Sequence, residues 1–354
     1  MKTSDSTQSE KQFEKTSLRW FLAMLAGLPF VALVLAPRRM RAQGVLTPPG
    51  APAPTMKSLD QLDAKLEKRT PISSVPITIS TPGSYYLTGN LTVATGNAIT
   101  VTVDQVTIDL NGFTISSTAS PASGTAVLLS GARQDVTIRN GHIRGTTTFS
   151  AGAFTPGGFL DGVVNNSAFS ANLRVSDLSV SGMASDGIVL GAVEPGMAVE
   201  RCSVAICGAI GIQSALTRDS NADTTGNTAI VGKIISNCIG ETVNTVVASA
   251  AAINASSSAD NCTGVAVSGV GVSAVNAHNC HGTSSSGNGL VASNASNCSG
   301  TSTSGAAGID ANPGTASFCR GQRVSGIAID AGIAIGCTVV SGTVNSANKF
   351  LGTP

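Results

Sequence analysis

Aromatic residues make up only 4% of this 354-residue chain, and charged residues only 12%. The first shortage excludes a compact core of the usual kind, which draws on Phe, Leu and Trp. The second excludes a disordered chain, which would carry more charge. Residues 1–44 carry seven Lys/Arg and three Asp/Glu, and removing them leaves 14 basic and 17 acidic residues, a balance of −3. That charge makes no basic footprint for nucleic acid. The single Trp lies inside an apolar run near the N-terminus, so a chain cleaved beyond it lacks the side chain best suited to stacking on sugar rings. Between Thr242 and Phe318 the only acidic residues are Asp260 and Asp310, with no Lys or Arg, so that stretch is poor in groups for acid–base chemistry. No Cys-x-x-Cys pair and no clustered histidine signals a metal, and nothing requires a cofactor.

What is present begins with export. Trp20 to Ala36 is an uncharged apolar run interrupted by Pro29, and Ala42-Gln43-Gly44 follows as a small-residue site. Residues 1–44 therefore read as a signal peptide cleaved near Gly44, with an uncleaved anchor through residues 20–36 as the alternative. The location expected is secreted or cell-envelope. Residues 45–57 are a Pro-rich linker. Residues 58–69 place Leu59, Leu62 and Leu66 on one helical face behind a capping box of Ser58 and Gln61, which predicts a short amphipathic cap helix. From about residue 75 to 345 the pattern is strands, with β-branched residues alternating between Gly and Asn turns.

Two columns keep one beat through this region. Asn-Cys pairs fall at Asn237-Cys238, Asn261-Cys262, Asn279-Cys280 and Asn297-Cys298, and Cys319 and Cys337 continue them. Backwards, the Asn position becomes Asp219, Arg201 and Asp177. A small residue before an aliphatic one recurs at Gly162-Val163, Gly187-Ile188, Gly211-Ile212, Ala229-Ile230, Ala252-Ile253, Gly271-Val272, Gly289-Leu290 and Gly308-Ile309. Steps of about 18 to 25 residues without helical periodicity predict a parallel β-helix, whose equivalent residues stack about 4.8 Å apart. Asn then forms a left-handed turn and an amide ladder, the aliphatic column forms the core, and Asp177, Arg201 and Asp219 form an ion-pair ladder. Asp109 beside Arg139 predicts an outward cross-coil pair. The stacked cysteines predict a buried thiol ladder, because successive coils hold Cβ atoms wider apart than a disulfide requires. Cys202 and Cys207 alone are close enough in sequence to pair locally.

The stretches VTIDLNGFTI, VTIRNGHIRG and PGSYYL, with the recurring small-Ile turns, resemble right-handed parallel β-helix repeat proteins of the pectin-lyase-like superfamily, and more closely the secreted bacterial ones. The resemblance implies an all-β, single-stranded right-handed solenoid over residues 75–345. It implies little about activity, because one such fold hosts many functions. The expected role is a non-catalytic surface or envelope solenoid, structural or glycan-binding, whose partners are polysaccharide or cell-envelope components. The alternative is a polysaccharide lyase or glycoside hydrolase. Its site would centre on Asp161 and Asp186, one repeat apart and so about 5 Å apart on adjacent coils, with His142 and Arg144 as cationic partners. Under the lyase alternative those aspartates would hold Ca2+. The competing reading of Asp before Gly is ordinary turn chemistry.

Overall fold

Runs of three to five β-branched or small residues keep the chain extended, and Asn, Asp or Gly with positive φ turns it between runs. The computed structural model describes residues 68–350 apart from residues 193, 195 and 244–249. The expected signal or anchor, the linker and nearly all of the cap helix lie outside the described residues. Lys68 and Arg69 are irregular chain leading into strand Thr70–Ile72, which already pairs with Gly83–Leu87, so coiling starts earlier than residue 75. No helix occurs among the described residues.

The protein is an all-β parallel solenoid. Coils contribute strands to three faces, and the strands of the solenoid sheet pair in parallel with their equivalents one coil away, while Thr148–Ser150 and Ala153–Thr155 form a separate antiparallel hairpin. On the first face the inward column runs Ile77, Ile99, Val127, Val163, Ile188, Ile212, Ile230, Ile253, Val272, Leu290, Ile309, Ile329 and Val344. From Ile99 to Ile329 every member is 0% exposed. The aliphatic column read from the sequence is therefore the core, one residue per coil.

The other two faces taper. The second-face column passes from Ile108, Ile138, Val175 and Val199 through Thr217 and Ile235 to Ala259, Ala277, Ala295, Ala316 and Ala334. The third-face column passes from Ile115, Ile143, Val180 and Val204 through Ala222 to Gly240, Gly264, Gly282, Gly300 and Gly321. Space is the reason. A Cβ on Gly264 would lie 2.0 Å from the Gly271 carbonyl oxygen, and one on Gly282 2.0 Å from that of Gly289. In the C-terminal half the third face lies almost backbone to backbone against the first, which is why the coil there shortens to the step from Asn279 to Asn297.

The corner between the second and third faces holds the Asn column in the left-handed region: φ is 52° at Asn237, 51° at Asn261, 51° at Asn279 and 52° at Asn297. Asn tolerates that conformation, and its amide passes a bond along the stack, from Asn261 Nδ2 to Asn237 Oδ1 at 2.9 Å and from Asn237 Nδ2 to Asp219 Oδ1 at 3.0 Å. Asp177, Arg201 and Asp219 occupy the same column with φ of 55°, 50° and 51°. Their ladder forms by half: Arg201 grips Asp177 through two bonds of 2.7 and 2.9 Å, while Asp219 takes the Asn237 amide instead.

Asp109 corrects one expectation. It is buried, not outward, because four donors converge on it: Arg69 and Arg139, each at 3.3 Å, the Asn140 amide at 3.0 Å and the Asn111 backbone N–H at 2.8 Å. All eight cysteines are free and buried, including Cys202 and Cys207, which do not pair.

Candidate functional site

The two aspartates stand where the sequence placed them, at the start of the first face on adjacent coils. Their oxygens are engaged with the backbone of the next coil. Asp161 Oδ1 accepts the Asp186 N–H at 3.2 Å, and Asp186 Oδ1 accepts the Ile210 N–H at 2.9 Å. The Thr125 hydroxyl also donates to Asp161 Oδ2 at 3.4 Å. Asn97 and Asn288 occupy the equivalent corner on other coils and make the same cross-coil bond, to the N–H groups of Thr125 and Ala307, each at 2.9 Å. An amide thus serves where these carboxylates serve.

Burial pushes both carboxyls above the ordinary aspartate range, and the charge of Asp161 pushes Asp186 further. That coupling is the electrostatics a proton-sharing pair requires. The cationic partners stand elsewhere. His142 and Arg144 are exposed on the outward side of the third face, paired across coils with Ser179 and Ser181. No hydrogen bond or ion pair joins either to Asp161 or Asp186 among the described residues. Calcium fits poorly, because it takes six to eight oxygens. Here two carboxylates each have an oxygen bound to backbone, and no set of three or more His, Cys, Asp or Glu converges among the described residues.

His142 belongs instead to a shallow depression along the corner that carries the Asn column. One part, of about 430 Å³, is lined by Asn140, His142, Asp177, Ser179, Arg201, Ser203, Asp219 and Asn221. A second part, of about 450 Å³, shares Asp219 and Asn221 and continues through Asp223, Asn237, Ile239 and Glu241. The side chains come from consecutive coils: Ser179 pairs with Ser203, Ser203 with Asn221, and Asn221 with Ile239. The result is a largely polar track of carboxylates, amides, hydroxyls and the His142 and Arg201 side chains, spaced by the coil repeat and broken by the exposed Ile239. The pairing of Arg201 holds the Asp177 carboxyl below its usual range. Burial raises Glu241, and the nearby charge of Asp223 adds to it. Sequence reasoning named Asp177, Arg201 and Asp219 only as a ladder and passed over Asn221, Asp223 and Glu241. The available signal was that Asn221 and Asp223 alternate outward on one strand, two and four residues past Asp219.

No family model matches the chain, and no curated protein matches it by sequence. Among solved structures, the A-module of mannuronan C-5 epimerase AlgE4 from Azotobacter vinelandii is similar with a TM-score of 0.38 and 10% identity, covering 77% of this chain and 90% of the module. Full-length tailspike protein 2 of Escherichia coli O157:H7 bacteriophage CAB120 gives 0.22 and 13%, covering 76% of this chain and 37% of the tailspike. The enzymatically active domain of bacteriophage CBA120 tailspike protein 2 gives 0.20 and 12%, covering 76% and 41%. The chain thus spans less than half the length of either tailspike. The coil register itself, not these scores, establishes the parallel solenoid.

Proposed function

We propose that the protein is an exported, non-catalytic solenoid of the cell surface or envelope that binds glycan along its third face. The observation that carries this reading is the largely polar track from His142 to Glu241, in which donors and acceptors recur from coil to coil along the stacking axis, with Ile239 as its exposed apolar member. A linear polysaccharide presents hydroxyls in the same repetitive way, and a rigid stack binds it without ordering cost in the protein. The employment of Asp161 and Asp186 as backbone acceptors supports the non-catalytic half of the proposal. Export rests on the apolar run and small-residue site within residues 1–44.

The second reading is a lyase or glycoside hydrolase centred on Asp161 and Asp186, and their proximity and shared elevation of pKa favour it. Two measurements separate the readings. Calorimetric titration with neutral and acidic oligosaccharides is expected to show binding that Asn221→Ala with Ser203→Ala weakens at least tenfold, while Asp186→Asn leaves it intact. Incubation with acidic polysaccharides, with and without calcium, is expected to release no unsaturated or reducing product. Product that appears with the native chain and vanishes with Asp186→Asn would establish the enzyme instead.

A further inference from the structure

The thiol column takes no part in the polar track. Cys238, Cys262, Cys280, Cys298, Cys319 and Cys337 lie on consecutive coils, since each of the first five accepts through its carbonyl a backbone bond from the residue just past the next cysteine, at 2.8–2.9 Å. All six are buried, and from Cys262 to Cys337 each cysteine stacks directly on the next along the column. Their thiols donate to backbone carbonyls, such as Asp260 O at 3.1 Å from Cys262 Sγ, and thiol bonds of that kind are weak.

Coil spacing decides what can join them. Successive Cβ atoms held about 4.8 Å apart are too far for a disulfide, which needs roughly 3.5–4.5 Å. Metal–sulfur bonds of about the zinc–thiolate length of 2.3 Å, two in line, span about 4.6 Å, close to the coil repeat. No four-ligand set exists for zinc, because no three such residues converge on one point among the described residues. A linear, two-coordinate ion needs only neighbours, and soft thiolate sulfur selects soft ions. We infer that the column is a binding site for soft monovalent cations, silver(I) or copper(I), each held in line between the sulfurs of two successive coils. Each ion displaces one proton: one sulfur binds as thiolate and its neighbour as thiol, so the ion and thiolate cancel and no net charge remains in the core. Six thiols taken two at a time hold three ions.

The test compares two variants that lose the same number of thiols. Cys238→Ser with Cys262→Ser and Cys280→Ser leaves Cys298, Cys319 and Cys337 contiguous. Cys262→Ser with Cys298→Ser and Cys337→Ser leaves three isolated thiols. Serine suits the position: Ser220 already occupies this column between Cys202 and Cys238, donating to Arg218 O at 2.8 Å. The folded protein is titrated with silver nitrate, and with copper(I) as its acetonitrile complex under argon. Native mass spectrometry counts ions, a pH-stat counts protons and calorimetry follows the thermal midpoint. The native chain is expected to take three ions with one proton released for each and a raised midpoint; the contiguous variant takes one ion and the isolated variant none. Should a triple variant fail to fold, Cys280→Ser alone is expected to lower the count from three to two. Equal uptake by both triple variants, an unchanged count in Cys280→Ser, or a midpoint that silver lowers because the unfolded chain binds it better would overturn the assignment.

Discussion

Replacing Gly282 by alanine tests the taper of the solenoid where the third face meets the first. The added Cβ would stand 2.0 Å from the Gly289 carbonyl oxygen and 2.7 Å from its carbon. Ordinary contact requires about 3.5 Å, so the first and third faces must part by about 1.5 Å at that coil. The obstructing atoms are backbone, and they cannot rotate away as a side-chain tip would. Overpacking typically costs about 1–3 kcal/mol, and this site lies at the upper end or beyond, because the shift also strains the ladders to the coils above and below. Gly89 is the matched control: nothing lies within 4 Å of a Cβ there, and its φ is not in the left-handed region. Gly89→Ala is therefore expected to stabilise by about 0.4–1 kcal/mol through the unfolded chain. Urea unfolding followed by circular dichroism reads both, as shifts of midpoint. A Gly282→Ala variant that unfolds at the native midpoint would refute the claim that backbone contact across the coil dictates glycine.

Two further perturbations follow from the core and the corner. Thr217 lies fully buried between Val199 and Ile235, with a hydroxyl that has no hydrogen-bond partner, so Thr217→Val is expected to raise stability by about 1 kcal/mol; a loss in the same unfolding assay would contradict it. Asp161 and Asp186 hold their protons to higher pH folded than unfolded, so the folded state binds more protons in that window and stability falls as pH rises through it. Asp161→Asn with Asp186→Asn keeps the acceptor oxygens and is expected to flatten that fall in thermal midpoint. Parallel pH profiles for variant and native protein would show that the carboxyls are not desolvated as described.

Much of this architecture was legible because a solenoid writes its columns directly into sequence spacing. The Asn-Cys and small-Ile columns stack as their steps require, and Asp161 does lie one coil from Asp186. The glycine column was equally visible, as Asn-Cys-x-Gly, yet its meaning depends on how closely the opposite face approaches, which spacing alone does not reveal. Asp109 was misplaced outward because its donors come from Arg69, Asn111, Arg139 and Asn140, and only their convergence offsets the cost of burial. The capping role of Asp161 and Asp186 shows only when Asn97 and Asn288 are seen making the same bond. The polar track was missed for a related reason: Asn221, Asp223 and Glu241 are unremarkable in their own segments and become a surface only across coils.

Removing one whole coil tests the central claim most directly. Excising Asn279–Ser296, a single complete coil, joins His278 to Asn297 and brings every column back into register with one level missing. The account predicts a folded chain with an unchanged circular dichroism spectrum per residue, cooperative unfolding and seven buried thiols, while a deletion of half that length at the same site abolishes folding. An excised protein that is unfolded, or a half-coil deletion tolerated equally well, would contradict it.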